Sequence, residues 1–281
     1  MKNATWFILL SVLSVVLLVY TLWRKRDIKL VALFLGISSA AGLLENVIFI
    51  WFPSYEYYPK MLKNSFYDMT LGAYLSQLFY VSSIAMFIAA FNLRYGWILF
   101  FTAMFVGIEF LFLALGIYKL IWWNPGYTSI GLLIYFSMTK KWYSLLMQAS
   151  SPLRFITLIG ITHITYVHLI IIPLFSDHYH FNVDWFDSPE RNTITVLNVY
   201  FIIRGVLIAL VCFYRLHWAL QVSVPILIWV SYLVLIYQHI FTFNYLWDMY
   251  LLFVADIVVL FCSNYFDRVL SKAGKFTITQ H

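Results

Sequence analysis

Long apolar stretches recur along the whole of this 281-residue chain. Each holds about 20 residues with few charges, which is the length that a helix needs to cross the hydrocarbon core of a bilayer. The stretches are continuous rather than alternating, so they predict helices and not the strands of a transmembrane barrel. They lie at about 4–23, 30–52, 70–92, 97–118, 121–138, 155–175, 193–214, 219–241 and 245–266. The pattern predicts an all-α integral membrane protein with about nine transmembrane helices.

The stretch at 121–138 is the weakest of the nine. It contains Asn124, Pro125 and Gly126, which interrupt an apolar helix near its start. A helix that only partly enters the membrane is therefore the alternative for this segment.

Basic residues between the stretches predict the orientation of the chain, because cytoplasmic loops carry an excess of Lys and Arg. With the loop 24–29 placed in the cytoplasm, twelve of the 18 basic residues fall on that side, and one of the twelve is Lys275. Only Arg204 falls within a span. The bias predicts that the N-terminus is outside and the C-terminus inside. The five outer basic residues are Lys2, Lys60, Lys63, Lys119 and Arg191.

The composition agrees with a single transmembrane domain over residues 1–281. The chain is 63% hydrophobic and 11% charged, whereas about 25% of a soluble domain is charged. The net charge of +6 comes mostly from short loops, so it does not predict a nucleic-acid partner. We expect a multi-pass protein of the cell membrane, with the lipid bilayer as its main partner and no cofactor.

Two parts of the chain have a similar layout, which predicts a weak internal repeat of four helices over 30–138 and 155–266. In each part a short inner turn carries an Arg and a Trp, and these residues are Arg94 and Trp97 in one part and Arg215 and Trp218 in the other. The two Arg residues are 121 positions apart, and so are the two Trp residues. Repeats of four spans would be parallel, and many transporters are built from such repeats. A chance match is the alternative, and helix 4–23 would be an added span.

Three ionisable residues, Glu109, Arg204 and Asp256, fall near the middle of apolar stretches. A charge at that depth costs about 3 kcal/mol or more on insertion scales, so it usually has a partner or a task. Arg204 cannot lose its proton, and either acid is a candidate partner. The remaining acid would hold or bind a proton or a cation. A structural ion pair that only holds the helices together is the alternative.

Glu45 and His163 complete the predicted intramembrane polar centre. Glu45 follows a run of small residues, among them Ser38 and Gly42, which predicts close packing against another helix with Glu45 turned inward. His163 and His168 are five positions apart and do not share a helix face, which disfavours a metal site made by two histidines. We expect a hydrogen-bonded core histidine or a group that responds to pH.

The outer loop at 176–192 contains His178, His180 and Asp184. Imidazole and carboxylate groups are ligands for zinc or manganese, so these three residues are weak candidates for a metal site. The alternative is an ordinary polar loop at the membrane face. Tyr and Trp near the span ends are typical of the aromatic belt at the membrane interface. No nucleotide-binding or hydrolase motif accompanies them.

Several segments resemble a family of small uncharacterised multi-pass membrane proteins from spore-forming Bacillus-type bacteria. The resemblance covers about the first 150 residues, and the second half departs from it. It implies a bacterial source and a membrane fold, without an activity. The segments are Tyr57-Tyr58-Pro59, Phe66-Tyr67-Asp68 with Gly72, Ile108-Glu109-Phe110-Leu111-Phe112, Gly116-Ile117-Tyr118 with Trp122-Trp123 and Thr128, and Lys140-Lys141-Trp142-Tyr143.

These patterns favour a membrane protein with a midplane polar centre that transports or senses a small solute or a proton. A structural or accessory membrane protein without transport activity is the first alternative. A membrane enzyme that acts on lipid from the outer face, through His178 and His180, is the second and the less favoured.

Overall fold

The computed structural model describes residues 3–273, so Lys2 and Lys275 of the charge count lie outside the described residues. Nine helices and two short two-stranded sheets form this part of the chain. The helices are α1 (Asn3–Lys25), α2 (Lys29–Trp51), α3 (Ser65–Ala90), α4 (Tyr95–Ala114), α5 (Pro125–Met147), α6 (Ser151–Phe175), α7 (Pro189–Phe213), α8 (Trp218–Tyr237) and α9 (Trp247–Leu270).

Eight of these helices, all except α5, are long and apolar enough to cross a membrane. The predicted class of a multi-pass helical membrane protein is therefore confirmed at this level. Helix α5 begins later and runs further than the predicted stretch 121–138. It includes Lys140 and Lys141, which lower its hydropathy, and Lys140 Nζ donates a hydrogen bond to the Leu93 carbonyl at 2.6 Å.

The chain divides into two compact units. The N-terminal unit consists of Met1–Leu153 with Lys272–His281, and the C-terminal unit is Arg154–Ser271. The division falls between the two predicted repeats. In the C-terminal unit the order is helix, strand, helix, helix, strand, helix, and the N-terminal unit has the same order after α1.

Each unit contains one pair of antiparallel strands with the same register. In the N-terminal unit β1 (Tyr55–Tyr57) pairs with β2 (Tyr118–Leu120). In the C-terminal unit β3 (Tyr179–Phe181) pairs with β4 (Phe241–Phe243). The last residue of one strand opposes the first of the other in both units. The ring centroids of these two residues are 4.7 Å apart in each unit, with interplanar angles of 34° for Tyr57–Tyr118 and 32° for Phe181–Phe241.

Helices α4 and α8, and strands β2 and β4, begin 123 positions apart rather than 121. Helices α4 and α8 both contain 20 residues, and they begin at Tyr95 and Trp218. The residue that precedes α4 is Arg94, whereas the one that precedes α8 is His217. The Arg and Trp pairs matched in the sequence therefore do not occupy equivalent positions. The two units thus share the order and the approximate length of their elements. The side chains at their inner turns differ.

Close contacts between backbones hold α2, β1 and α3 together in the N-terminal unit. The run of small residues on α2 packs on α3, where Ser38 Oγ donates to the Leu78 carbonyl at 2.8 Å. A methyl group added at Gly42 would lie 3.2 Å from Leu78. A methyl group added at Gly72 would lie only 2.6 Å from Tyr57 Cβ. Small side chains at these positions thus let the strand and the helices approach.

Candidate functional site

A cavity of about 160 Å³, partly open to its surroundings, lies in the N-terminal unit. Helices α1 to α5 and both strands of the unit contribute to its wall. Most of the wall is aromatic or aliphatic, and two carboxyl side chains and several hydroxyl groups interrupt it. The polar and aromatic residues of the wall are Phe7, Glu45, Tyr55, Tyr57, Ser76, Gln77, Tyr80, Phe105, Glu109, Phe112, Tyr118, Trp123, Tyr127, Thr128 and Tyr135.

Glu109 of α4 is the least satisfied polar group of this wall. Its side chain is 9% exposed, and neither carboxyl oxygen makes a hydrogen bond of normal geometry within residues 3–273. The Thr128 side chain is its polar neighbour, and the Thr128 hydroxyl accepts a hydrogen bond from Trp123 Nε1 at 2.9 Å. A buried carboxyl group in this situation favours any ligand that brings a hydrogen-bond donor or a positive charge.

Glu45 of α2 lines the same cavity but has a partner. The Tyr55 hydroxyl lies 2.5 and 2.6 Å from the two carboxyl oxygens of Glu45 and donates to them. Burial, followed by the Glu45 carboxylate, raises the pKa of Tyr55 well above its ordinary value. The Tyr55 hydroxyl therefore stays protonated and remains a donor. The structure shows the inward orientation that the run of small residues on α2 predicts for Glu45.

The strand pair β1–β2 closes the cavity at one end with aromatic rings. Tyr55, Tyr57 and Tyr118 are 3%, 8% and 6% exposed. Tyr55 and Tyr118 have ring centroids 5.3 Å apart, and Tyr55 also meets Trp123 edge-to-face at 5.8 Å. Burial also raises the pKa of both Tyr57 and Tyr118, so these hydroxyls stay neutral at physiological pH.

Two π-helical segments border the cavity, and they change the direction of the side chains around it. They are Asn46–Trp51 at the end of α2 and Leu75–Val81 within α3. Helix α3 has 26 residues where the corresponding α7 has 25. One inserted residue in a helix is accommodated by such a π turn, and π turns are frequent at functional sites. Ser76, Gln77 and Val81 of the second segment line the cavity.

Glu109 is nearer to a helix end than the sequence predicts. Helix α4 ends at Ala114, five residues beyond Glu109, and α2 ends at Trp51, six residues beyond Glu45. At 1.5 Å per residue both carboxyl groups are about 8 Å from the strand end of their helices. Glu45 and Glu109 therefore share one layer below the strand pair. In the C-terminal unit the polar residues do lie near the middle of their helices: Arg204 in α7, Asp256 in α9 and His163 in α6.

In the C-terminal unit, Asp256 is the acid that pairs with Arg204. Arg204 Nη2 donates to Asp256 Oδ1, and Arg204 Nη1 donates to the Tyr232 hydroxyl. The Tyr166 hydroxyl donates to the same Asp256 oxygen at 2.6 Å. Arg204 is 1% exposed and Asp256 is fully buried.

Aromatic rings surround this ion pair. The guanidinium carbon of Arg204 lies 4.0 Å from the Tyr166 ring centroid, 5.1 Å from that of Tyr232 and 5.3 Å from that of Tyr200. Cation–π attraction adds to the ion pair at these distances. The pair is thus a closed internal cluster, which fits the structural role that the sequence left open for it. Glu109 belongs to the N-terminal unit, where it lines the cavity.

The histidines have local hydrogen-bonding roles. His163 is buried, and its Nε2 lies 3.3 Å from Asn198 Oδ1. His178 Nδ1 lies 2.9 Å from Asp248 Oδ1, and His180 Nε2 lies 3.8 Å from Asp177 Oδ2. Within the described residues no group of three or more His, Cys, Asp or Glu side chains could hold a metal ion. His178, His180 and Asp184 therefore do not assemble the predicted metal site.

Sequence reasoning missed the aromatic wall. It assigned the tyrosines near the span ends to an interface belt, but Tyr55, Tyr57 and Tyr118 turn inward. The available signal was the Tyr-Glu-Tyr alternation at 55–57, since alternate residues of a strand face the same side. Its strand partner, which supplies Tyr118, is over 60 residues away, and no local pattern identifies it.

Comparison with known proteins identifies no relative of this chain. No protein-family model matches this chain, and no curated protein and no solved structure matches it significantly. The resemblance to small membrane proteins of spore-forming bacteria therefore stays a prediction.

Proposed function

We propose that this protein binds a small solute in the cavity of its N-terminal unit and serves as a transporter or sensor of that solute in the cell membrane. The observation that carries the proposal is Glu109, a buried carboxyl group in the wall of a cavity whose polar neighbour is the neutral Thr128 and which has no cationic partner among residues 3–273. A group that only orders a helix bundle would have its partner within the fold, as Asp256 has in Arg204.

The size of the cavity supports a small ligand. A cavity of about 150 Å³ in a protein interior accommodates benzene, so about 160 Å³ admits a solute of about six non-hydrogen atoms. The wall combines a mostly apolar surface with a few polar groups, which is typical of ligand sites. With the orientation predicted from the basic residues, the strand end of the cavity faces outward.

Uptake into proteoliposomes tests the proposal. The full-length protein is reconstituted and supplied with a panel of small cationic, neutral and anionic solutes, and binding of each is measured in parallel by calorimetry. We expect at least one solute to bind, and a transporter would also accumulate it above empty liposomes. Glu109→Gln should abolish both signals. Glu56→Gln is the matched control, because Glu56 lies in β1, outside the cavity wall.

Two results would overturn the proposal. One is a failure of every solute to bind or accumulate above empty liposomes. The other is binding that Glu109→Gln leaves unchanged, because the ligand would then occupy a different site.

A further inference from the structure

We infer that the solute of the N-terminal cavity is a small organic cation with an ammonium or guanidinium group. This inference rests on the proposed function and adds the chemical class of the ligand. Three independent observations carry it: the charge of the wall, the rings of the wall, and the cation that the C-terminal unit holds in an equivalent place.

The charged side chains of the wall are both acidic. They are Glu45 and Glu109, and among the described residues that form the wall there is no Lys, Arg or His. An anionic ligand would be repelled, and a neutral ligand would leave the Glu109 carboxyl group without a counter-charge. A cation is the ligand that compensates a buried carboxylate most directly, since the attraction is strong where water is excluded.

The aromatic rings indicate an organic cation rather than a metal ion. Tyr55, Tyr57, Tyr118 and Trp123 meet at the strand end of the cavity. Ring faces attract ammonium and guanidinium groups, and aromatic cages with nearby carboxylates recognise such ligands. Calcium and magnesium instead require about six oxygen ligands, and the oxygens of Glu45 already accept from Tyr55.

The C-terminal unit holds a cation of its own against a carboxyl group and tyrosine rings. Glu109 is the fifteenth residue of α4, and Tyr232 is the fifteenth residue of α8. Tyr232 is the residue that accepts from the Arg204 guanidinium. The position in the N-terminal unit that corresponds to this acceptor is therefore occupied by a carboxyl group without a cationic partner among the described residues.

The N-terminal unit has a valine at the position equivalent to Arg204. Arg204 lies nine residues before the end of α7, and Val81 lies nine residues before the end of α3. Val81 lines the cavity. The valine side chain is shorter than that of arginine and carries no charge. The wall of the N-terminal cavity thus has acids and rings of its own but no built-in cation, and a ligand with that chemistry supplies one.

Binding by the full chain in phosphatidylglycerol nanodiscs tests the inference, because this lipid carries no ammonium group. The probes are tetramethylammonium, guanidinium, the neutral tert-butanol and acetate, each titrated by calorimetry. We expect at least one of the two cations to bind, and tert-butanol and acetate to bind at least tenfold more weakly. Glu109→Gln should weaken cation binding at least tenfold, whereas Glu56→Gln should leave it unchanged.

A second variant places the cation within the chain. Val81→Arg puts a guanidinium group at the position equivalent to Arg204, so the folded variant should no longer bind the probes. If Glu109→Gln does not fold, Trp123→Leu replaces it, and loss of that ring should weaken tetramethylammonium binding at least threefold.

Nanodiscs of phosphatidylcholine or phosphatidylethanolamine separate the sources of the cation. Competition by these lipids indicates a lipid headgroup, and unchanged binding indicates a free solute.

Preferential binding of tert-butanol or acetate would overturn the cation inference while the proposed solute site stands. Equal cation binding in the wild type and Glu109→Gln would also overturn it. Absence of binding by every solute in the broader panel would overturn both, so the two failures can be told apart.

Discussion

Glu109 and Tyr232 occupy the same position in two helices of equal length, but of the two it is Tyr232 that lies beside a buried cation. Tyr232 accepts a hydrogen bond from the buried guanidinium of Arg204, whereas Glu109 has no such donor within the described chain. One unit therefore contains the counter-charge of its buried acid, and the other leaves an acid beside a cavity. This difference leads to measurable consequences for stability as well as for binding.

Removing the Glu109 carboxyl group should stabilise the ligand-free protein. We expect Glu109→Leu to raise the free energy of unfolding by about 1–3 kcal/mol, because burying a carboxyl group without a counter-charge is costly. Glu45→Leu is the contrasting variant, since it leaves the Tyr55 hydroxyl buried without its acceptor, and it should lower stability by about 1–3 kcal/mol. Thermal unfolding in detergent measures both, and effects of the same sign would contradict this account.

Arg204 and Asp256 should behave as one unit. Arg204→Met alone leaves a buried carboxylate and should cost about 3–5 kcal/mol of unfolding free energy. Adding Asp256→Leu should recover part of that loss, with a coupling energy above about 1 kcal/mol. Arg215→Met is the control, because Arg215 is 60% exposed where it meets Asp267 and should cost at most about 1 kcal/mol. Strict additivity of the two changes in the double variant would argue against a closed cluster.

Asp68 should hold the loop that follows β1. Its two carboxyl oxygens accept from the backbone N–H groups of Lys60, Met61 and Leu62 at 2.7–2.9 Å. We expect Asp68→Ala to cost at least about 3 kcal/mol, because hydrogen bonds to charged groups contribute about 1.5–3 kcal/mol each. Asp68→Asn should cost less, since it keeps one acceptor oxygen.

Hydrogen exchange provides the readout for that loop. The amides of Lys60, Met61 and Leu62 should lose protection in Asp68→Ala and keep part of it in Asp68→Asn. Unchanged protection of all three amides in Asp68→Ala would show that other contacts hold the loop.

Alkaline pH should destabilise the aromatic wall. Burial raises the pKa of Tyr118 in the folded state, whereas an unfolded tyrosine ionises at about pH 10. Above about pH 10 the unfolded chain releases this proton and the folded chain retains it, so stability falls as pH rises. Each such tyrosine contributes about 1.4 kcal/mol per pH unit there.

Tyr118→Phe isolates this contribution. The variant should lose stability less steeply above pH 10 than the wild type, by about 1.4 kcal/mol per pH unit. Tyr127→Phe is the control, because the Tyr127 side chain is 53% exposed. Chemical denaturation at several values between pH 9 and 12 gives the slopes, and identical slopes for wild type and Tyr118→Phe would refute a buried neutral Tyr118.

The sequence by itself determined the class of the protein and the position of most helices. Apolar runs of about 20 residues specify helices that cross a membrane, because the bilayer requires internally satisfied backbone hydrogen bonds. It also singled out Glu45, Glu109, Arg204 and Asp256, because a charge in an apolar run is costly wherever it lies. The weakness of the 121–138 segment was evident from its composition as well, and α5 is the helix outside the eight candidate spans.

Only the tertiary structure decided which charges meet. Arg204 and Asp256 are 52 residues apart, and side-chain pairing over that distance depends on helix packing rather than on local pattern. The same holds for Tyr57 and Tyr118, which the strand register brings together, and for the one-residue insertion that becomes a π turn in α3. The apolar pattern of the sequence determines which residues are buried, but helix packing and strand pairing determine which residues they contact. Those contacts decide whether a buried acid lies in a closed ion pair, as Asp256 does, or in the wall of a cavity, as Glu109 does.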